Sequence, residues 1–108
     1  MSVRILAAAL ALAACTAQSS AQDAESARLG QEAWAAACED WADWDKPGPP
    51  YAIGKRTYYV GTCGISAILI TGDEGHVLID SGTEAGAEIV ARNIQALGFD
   101  LDDVEILL

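Results

Sequence analysis

Histidine is nearly absent from this chain: of 108 residues only His76 carries an imidazole. One histidine cannot build a histidine-ligated zinc site, and at the exit of a turn it cannot complete a Ser/His/Asp or Cys/His catalytic arrangement. It reads as a surface strand residue. Basic residues are scarce too. Six Lys and Arg face sixteen Asp and Glu, a formal net charge of −10, so the electrostatic footprint of a DNA- or RNA-binding protein is missing. Most of these carboxylates read as a solvated face. No Cys-x-x-Cys pair or Cys/His cluster suggests a thiolate metal site. The N-terminal apolar run, Ile5 to Ala14, falls well short of the ~20 residues that span a bilayer.

What that run does resemble is the core of an export signal. Arg4 precedes it, and Leu12-Ala13-Ala14-Cys15 has the form of a lipobox with Cys15 as the residue to be lipidated. Ser19-Ser20-Ala21 offers a rival cleavage site that would release a soluble protein. Residues 1–21 are therefore predicted to be a signal or lipoprotein segment and tether. The product is exported to the periplasm, with membrane attachment through Cys15 as an outer-membrane lipoprotein in the first case. Either route removes Cys15 from disulfide chemistry and leaves Cys38 and Cys63. In an oxidising compartment these two can close a loop worth about 3 kcal/mol; two buried free thiols are the alternative.

Residues 22–50 read as an N-terminal helix and a Pro-rich link. Thr16 to Asp23 is small and polar and is expected to stay a flexible tether. From Ala24 to Trp44 the spacing of Trp34, Cys38, Trp41 and Trp44 is helical, and a tryptophan stripe of this kind predicts core packing. Lys46-Pro47-Gly48-Pro49-Pro50 then breaks the helix.

Residues 51–108 form the domain proper. Arg56 to Val60, Ser66 to Ile70 and His76 to Ile79 are strand candidates rich in aromatic and β-branched residues. The glycine-bearing links between them suit antiparallel hairpins. From Thr83 to Leu97 the period changes: Ala87, Val90, Ala91, Ile94 and Leu97 share a helical face, Thr83 can cap the start and Gly98 can end the run. Val104 to Leu108 reads as a further strand, and a helical crossover of this length predicts parallel pairing with the strand before it. The fold class is α/β.

Asp80 ends a buried strand, the edge where open α/β sheets bind ligands. Its carboxylate can orient a neighbouring loop or a metal ligand, or simply cap the following helix. Asp102-Asp103 and the Asp43/Asp45 pair read as turn and cap residues.

Beyond this the residues resemble a known family. Tyr58-Tyr59-Val60-Gly61-Thr62-Cys63-Gly64-Ile65-Ser66, Leu69-Ile70-Thr71, Gly75-His76-Val77-Leu78-Ile79-Asp80-Ser81-Gly82, Asn93-Ile94 and Leu97-Gly98-Phe99 together resemble the N-terminal half of metallo-β-lactamases of the third subclass of class B. The resemblance covers Trp44 to Leu108 in order. It implies the N-terminal ββα half of an αββα sandwich, incomplete here because the family's His-x-His-x-Asp-His loop would follow Leu108. It also implies two zinc ions in the intact protein with no ligand in this chain, and Asp80 bracing the metal-binding loop. Tyr58 or Tyr59 would border the substrate groove, and Cys38 and Cys63 match a disulfide found in some members. The implied reaction is metal-assisted hydrolysis of a β-lactam antibiotic, with this chain alone inactive and the partner it needs being the missing C-terminal half. Lactonases, thiolesterases and sulfatases resemble one another around Asp80, and a non-catalytic periplasmic lipoprotein is the reading from another class. The strands' second face lacks a partner layer, which predicts exposed apolar surface and poor solubility or dimerisation.

Overall fold

Between Ser2 and Ala37 there is no proline, and the first glycine is Gly30. Alanine, leucine, glutamine and glutamate dominate, all good helix formers. In the computed structural model, which describes residues 2–40 and 42–108 and the side chains of 20–40 and 42–108, this stretch is one helix, α1 (Ser2–Ala37). The tether expected over Thr16 to Asp23 is thus helical: nothing in its sequence interrupts the hydrogen-bonding ladder. Exposed Arg28 pairs with Glu25 at 2.8 Å and with Glu32 on the same surface, which lowers the Glu25 carboxyl below its ordinary range. The expected lipidation site at Cys15 lies outside the described side chains, as does Trp41. Among the described residues no helix is long and apolar enough to cross a membrane.

The helix ends before the tryptophan stripe does. Trp34 packs edge-on against Tyr59 and tilted against Tyr51, at 5.3 and 6.3 Å between ring centroids, but Trp44 stands off the helix and is 70% exposed. The packing expected of Trp44 is therefore not found, because the chain leaves helical geometry at Cys38.

Five strands follow: β1 (Tyr51–Ala52), β2 (Thr57–Tyr59), β3 (Ile68–Ile70), β4 (His76–Ile79) and β5 (Val104–Leu107). They form one sheet in the order β1-β2-β3-β4-β5. The first four pair antiparallel, and β4 pairs parallel with β5. Helix α2 (Glu84–Ala96) makes the crossover, with Thr83 as its N-cap. At its other end Gly98 adopts φ +91°, and Phe99 N–H returns to the Ile94 carbonyl at 3.2 Å. The hairpins, the parallel pair and both helix stops agree with the sequence reading; β1, only two residues long after Pro49-Pro50, carries no periodicity to read.

Register decides which face each strand buries. Tyr58 pairs with Leu69, and Leu69 with Leu78, so these lie on the face that α2 covers. There Val60, Ala67, Leu69, Leu78, Val90 and Ile94 make the core, joined by Tyr58, Phe99 and Val104. Leu69 and Ile94 are almost wholly buried, each worth about 2 kcal/mol of transfer free energy. On the other face Ile68 pairs with Ile79, Ile70 with Val77, and Val77 with Ile106. Trp34 covers the β1–β2 end of that face, while Ile70, Ile79 and Ile106 are 40%, 39% and 50% exposed. The architecture is a mixed α/β half-sandwich: one sheet with α2 on one face and apolar residues open on the other.

Candidate functional site at the carboxyl end of β4

The turn Asp80-Ser81-Gly82-Thr83 links β4 to α2. Asp80 has φ +67° and Gly82 φ +73°. Glycine meets this left-handed region at no steric cost, whereas a non-glycine residue held there costs on the order of 1–3 kcal/mol. Aspartate tolerates it because its short carboxylate bonds the local backbone. Oδ1 of Asp80 accepts the Ser81 and Gly82 N–H groups at 2.6 and 2.8 Å. The helix cap is Thr83, whose Oγ1 accepts the Gly86 N–H at 3.0 Å. Asp80 therefore closes the turn rather than capping α2, which removes one of its two sequence readings. Its own N–H donates to the Leu108 carbonyl at 2.8 Å, tying the turn to β5. Among the described residues Oδ2 of Asp80 accepts no hydrogen bond, and the residue is exposed.

A strap from Asp43 to Gly48 lies against this end of the sheet. The Thr62 hydroxyl donates to the Trp44 carbonyl, and the Cys63 N–H to the Lys46 carbonyl at 2.8 Å. Cys38 and Cys63 are joined in a disulfide. Backbones approach so closely that a Cβ on Gly64 would sit 2.5 Å from Trp44 Cα, so only glycine fits there. Asn93, buried in α2, places Nδ2 at 3.2 Å from the Gly48 carbonyl, 2.9 Å from that of Val60 and 3.3 Å from that of Gly61. The Asp45 carboxylate accepts the Thr83 hydroxyl. Asp45 and Asn93 were not singled out for these roles by sequence. For Asn93 a signal existed, an amide inside an apolar helical stripe; for Asp45 none did, because its partner lies far along the chain.

The other candidates sit elsewhere. Tyr58 packs edge-on against Phe99 at 5.1 Å. Tyr59 is buried, stacks on Tyr51 at 5.2 Å, and donates its hydroxyl to the Thr62 carbonyl at 2.6 Å; burial raises both the Tyr59 and Tyr51 phenols above their ordinary range. These contacts give no support to a groove position for either Tyr58 or Tyr59. His76, expected at the surface, is instead buried: its ring lies edge-on to Phe99 at 5.3 Å, and Nδ1 accepts the Gly72 N–H at 3.2 Å.

This donor set does not fit a zinc centre. The imidazole has Nδ1 engaged in the β3–β4 turn, the two described cysteines are bonded to each other, and among the described residues no three His, Cys, Asp or Glu side chains gather to hold a metal ion. What the arrangement offers is a fixed carboxylate, Asp80, at the mouth of a parallel strand pair.

Comparison with known proteins agrees with this geometry. Residues 60–108 match the metallo-β-lactamase superfamily. The structure is similar to the MIM-2 metallo-β-lactamase, with 66% identity, a TM-score of 0.71, and coverage of 73% of this chain and 30% of that one. It is similar to MIM-1 from Novosphingobium pentaromativorans at 49% identity and TM-score 0.66, covering 69% of this chain and 29% of that one. It is also similar to MEM-A1, a subclass B3 enzyme from a soil metagenome library, at 46% identity and TM-score 0.59, covering 60% and 25%. The chain thus spans less than a third of the length of each. Its half-sandwich thus matches part of the metallo-β-lactamase fold, and the solved structures it is similar to include subclass B3 metallo-β-lactamases.

Proposed function

We propose that this chain is part of a zinc-dependent β-lactam hydrolase, and that the 108-residue polypeptide alone is inactive. The observation that carries the reading is the 66% identity and TM-score of 0.71 to MIM-2, beside a superfamily match over residues 60–108 that includes the turn built around Asp80. In such an enzyme zinc supplies a hydroxide nucleophile at neutral pH. The ligands for it would come from outside this chain. The contribution here is structural: β4, β5 and the Asp80 turn form one wall of the site and present Asp80 to the residues that follow β5.

Export belongs to the same proposal, with lipidation at Cys15 as its first form. Support comes from the Leu12-Ala13-Ala14-Cys15 motif and from the Cys38–Cys63 disulfide, a bond that persists in oxidising compartments.

The test compares this polypeptide with one extended to the length of the relatives, assayed with nitrocefin, zinc and a chelator. Zinc-dependent turnover by the extended form alone is expected. Turnover by the short form would overturn the assignment of the ligands, and an extended form active only on lactones or thioesters would overturn the substrate.

A further inference from the structure

The Asp80 turn is held at two ends by different parts of the molecule. At one end the Asp80 N–H meets the Leu108 carbonyl at 2.8 Å. At the other, Thr83 is gripped by Asp45, a residue 38 positions earlier in the chain. Between them lie two residues with left-handed backbone, Asp80 and Gly82; for Asp80, which is not glycine, that conformation persists only where the surroundings over-determine it.

We infer that Asp45 is a positioning residue for the Asp80 turn. The Thr83 hydroxyl has one proton, which goes to Asp45 Oδ1, so its lone pairs are left for the Gly86 N–H at 3.0 Å. Asp45 thereby orients the cap of α2 and fixes where the turn must end. Asp45 can do this because its own backbone is anchored: the Trp44 and Lys46 carbonyls on either side accept from Thr62 Oγ1 and from the Cys63 N–H. Its negative charge beside the first turn of α2 also suits the helix dipole. Gly86 keeps this approach uncrowded, since a Cβ there would lie 3.4 Å from Asp45 Oδ1 and 3.3 Å from Thr83 Oγ1, close enough to press on the Thr83 hydroxyl. Loss of the grip leaves Asp80 fixed at one end only. The catalytic consequence rests on the proposed hydrolase function; the structural one does not.

The test uses Asp45→Ala, Asp45→Asn and Thr83→Ala, with two readouts. In this chain, hydrogen exchange of the segment 80–86 is followed by mass spectrometry, with the β3–β4 strands as internal reference. Asp45→Ala is expected to speed exchange in 80–86 about tenfold while the strands stay within about twofold, and Asp45→Asn, which keeps an acceptor oxygen, to recover most of the protection. In the extended protein Asp45→Ala is expected to lower kcat for nitrocefin about tenfold with KM nearly unchanged, and Thr83→Ala to add little on top of it. Unchanged exchange in 80–86, a uniform rise across the whole sheet, no rescue by Asn, or a higher KM at constant kcat would each overturn the inference. An extended wild-type protein without nitrocefin turnover would instead refute the proposed function, and the exchange pattern would still decide the role of Asp45.

Discussion

Asn93 donates to the Val60 carbonyl at 2.9 Å, joining the middle of α2 to the end of β2 through the interior. The same amide lies within reach of the Gly48 and Gly61 carbonyls, so one side chain serves three carbonyls on two backbone segments. Asn93→Ala should lower stability by about 2 kcal/mol, because buried acceptors lose their donor. Asn93→Asp should be at least as harmful despite its matching shape, since a carboxylate cannot donate. Urea unfolding of the two variants checks this; an unharmed Asp variant would show that packing, not donation, is what Asn93 provides.

How much of this was legible follows the range of the interactions. Strands β2 to β5 and helix α2 were readable because local period, turn residues and the Thr83 and Gly98 stops all agreed. Parallel pairing of β4 with β5 followed from crossover length. The strap was not readable. Trp44 repeats at helical spacing after Trp34 and Cys38, yet the helix stops at Ala37, and what then holds residues 43–48 is a set of long-range hydrogen bonds that no window of sequence contains. At the site, the position of Asp80 was legible and its left-handed backbone was not, because the bonds to Ser81 and Gly82 depend on geometry and not on composition.

The Cys38–Cys63 bridge fastens the end of α1 and the strap to the β2–β3 loop. Replacing both cysteines by serine should cost about 3 kcal/mol, the loop-closure value for a span of this length. Reduction of the wild type with dithiothreitol should shift the urea midpoint by the same amount and leave the double variant unmoved. Equal responses to reductant would mean that the bridge does not form.

Asp80 carries its strained backbone and its two accepted bonds together, and substitution separates them. Asp80→Asn keeps an oxygen acceptor and a residue type that tolerates positive φ, so stability should fall by less than about 1 kcal/mol. Asp80→Ala loses both features and should cost about 2 kcal/mol or more. Thermal melts order the variants; an Ala variant as stable as Asn would deny the carboxylate its role in closing the turn.

Alkaline pH should loosen the aromatic cluster. Burial raises the Tyr59 phenol above its ordinary value, so in the folded chain it keeps its proton where the unfolded chain, titrating near pH ~10, has released it. The unfolded state then binds fewer protons and stability falls with pH. The contribution is complete below pH ~10 and is lost as pH rises through the higher folded value. Melting temperatures measured between pH 8 and 11 should decline, and Tyr59→Phe should flatten that decline while lowering stability at pH 8 by about 1 kcal/mol for the lost bond to Thr62. A Phe variant with the same alkaline slope would assign the effect to another group.

The open face of the sheet makes the last prediction. Ile70, Ile79 and Ile106 stand together on the side that α2 does not cover, and β5 ends the strand order with an unpaired outer edge. Edges of this kind invite pairing with other chains unless charge or proline blocks them. Glu105 is the only charged residue in β5, and the net charge of −10 opposes association only weakly once it is screened by salt. This polypeptide should therefore elute larger than a monomer at 0.5 M NaCl. Ile106→Lys, which puts a charge on both the face and the edge, should return it toward monomer. Ile53 is similarly exposed, at 43%, but lies beyond β1 at the opposite side of the sheet, so Ile53→Lys should change nothing. If the two lysine variants behave alike, the association is driven by overall solubility, and the β5 face has no part in it.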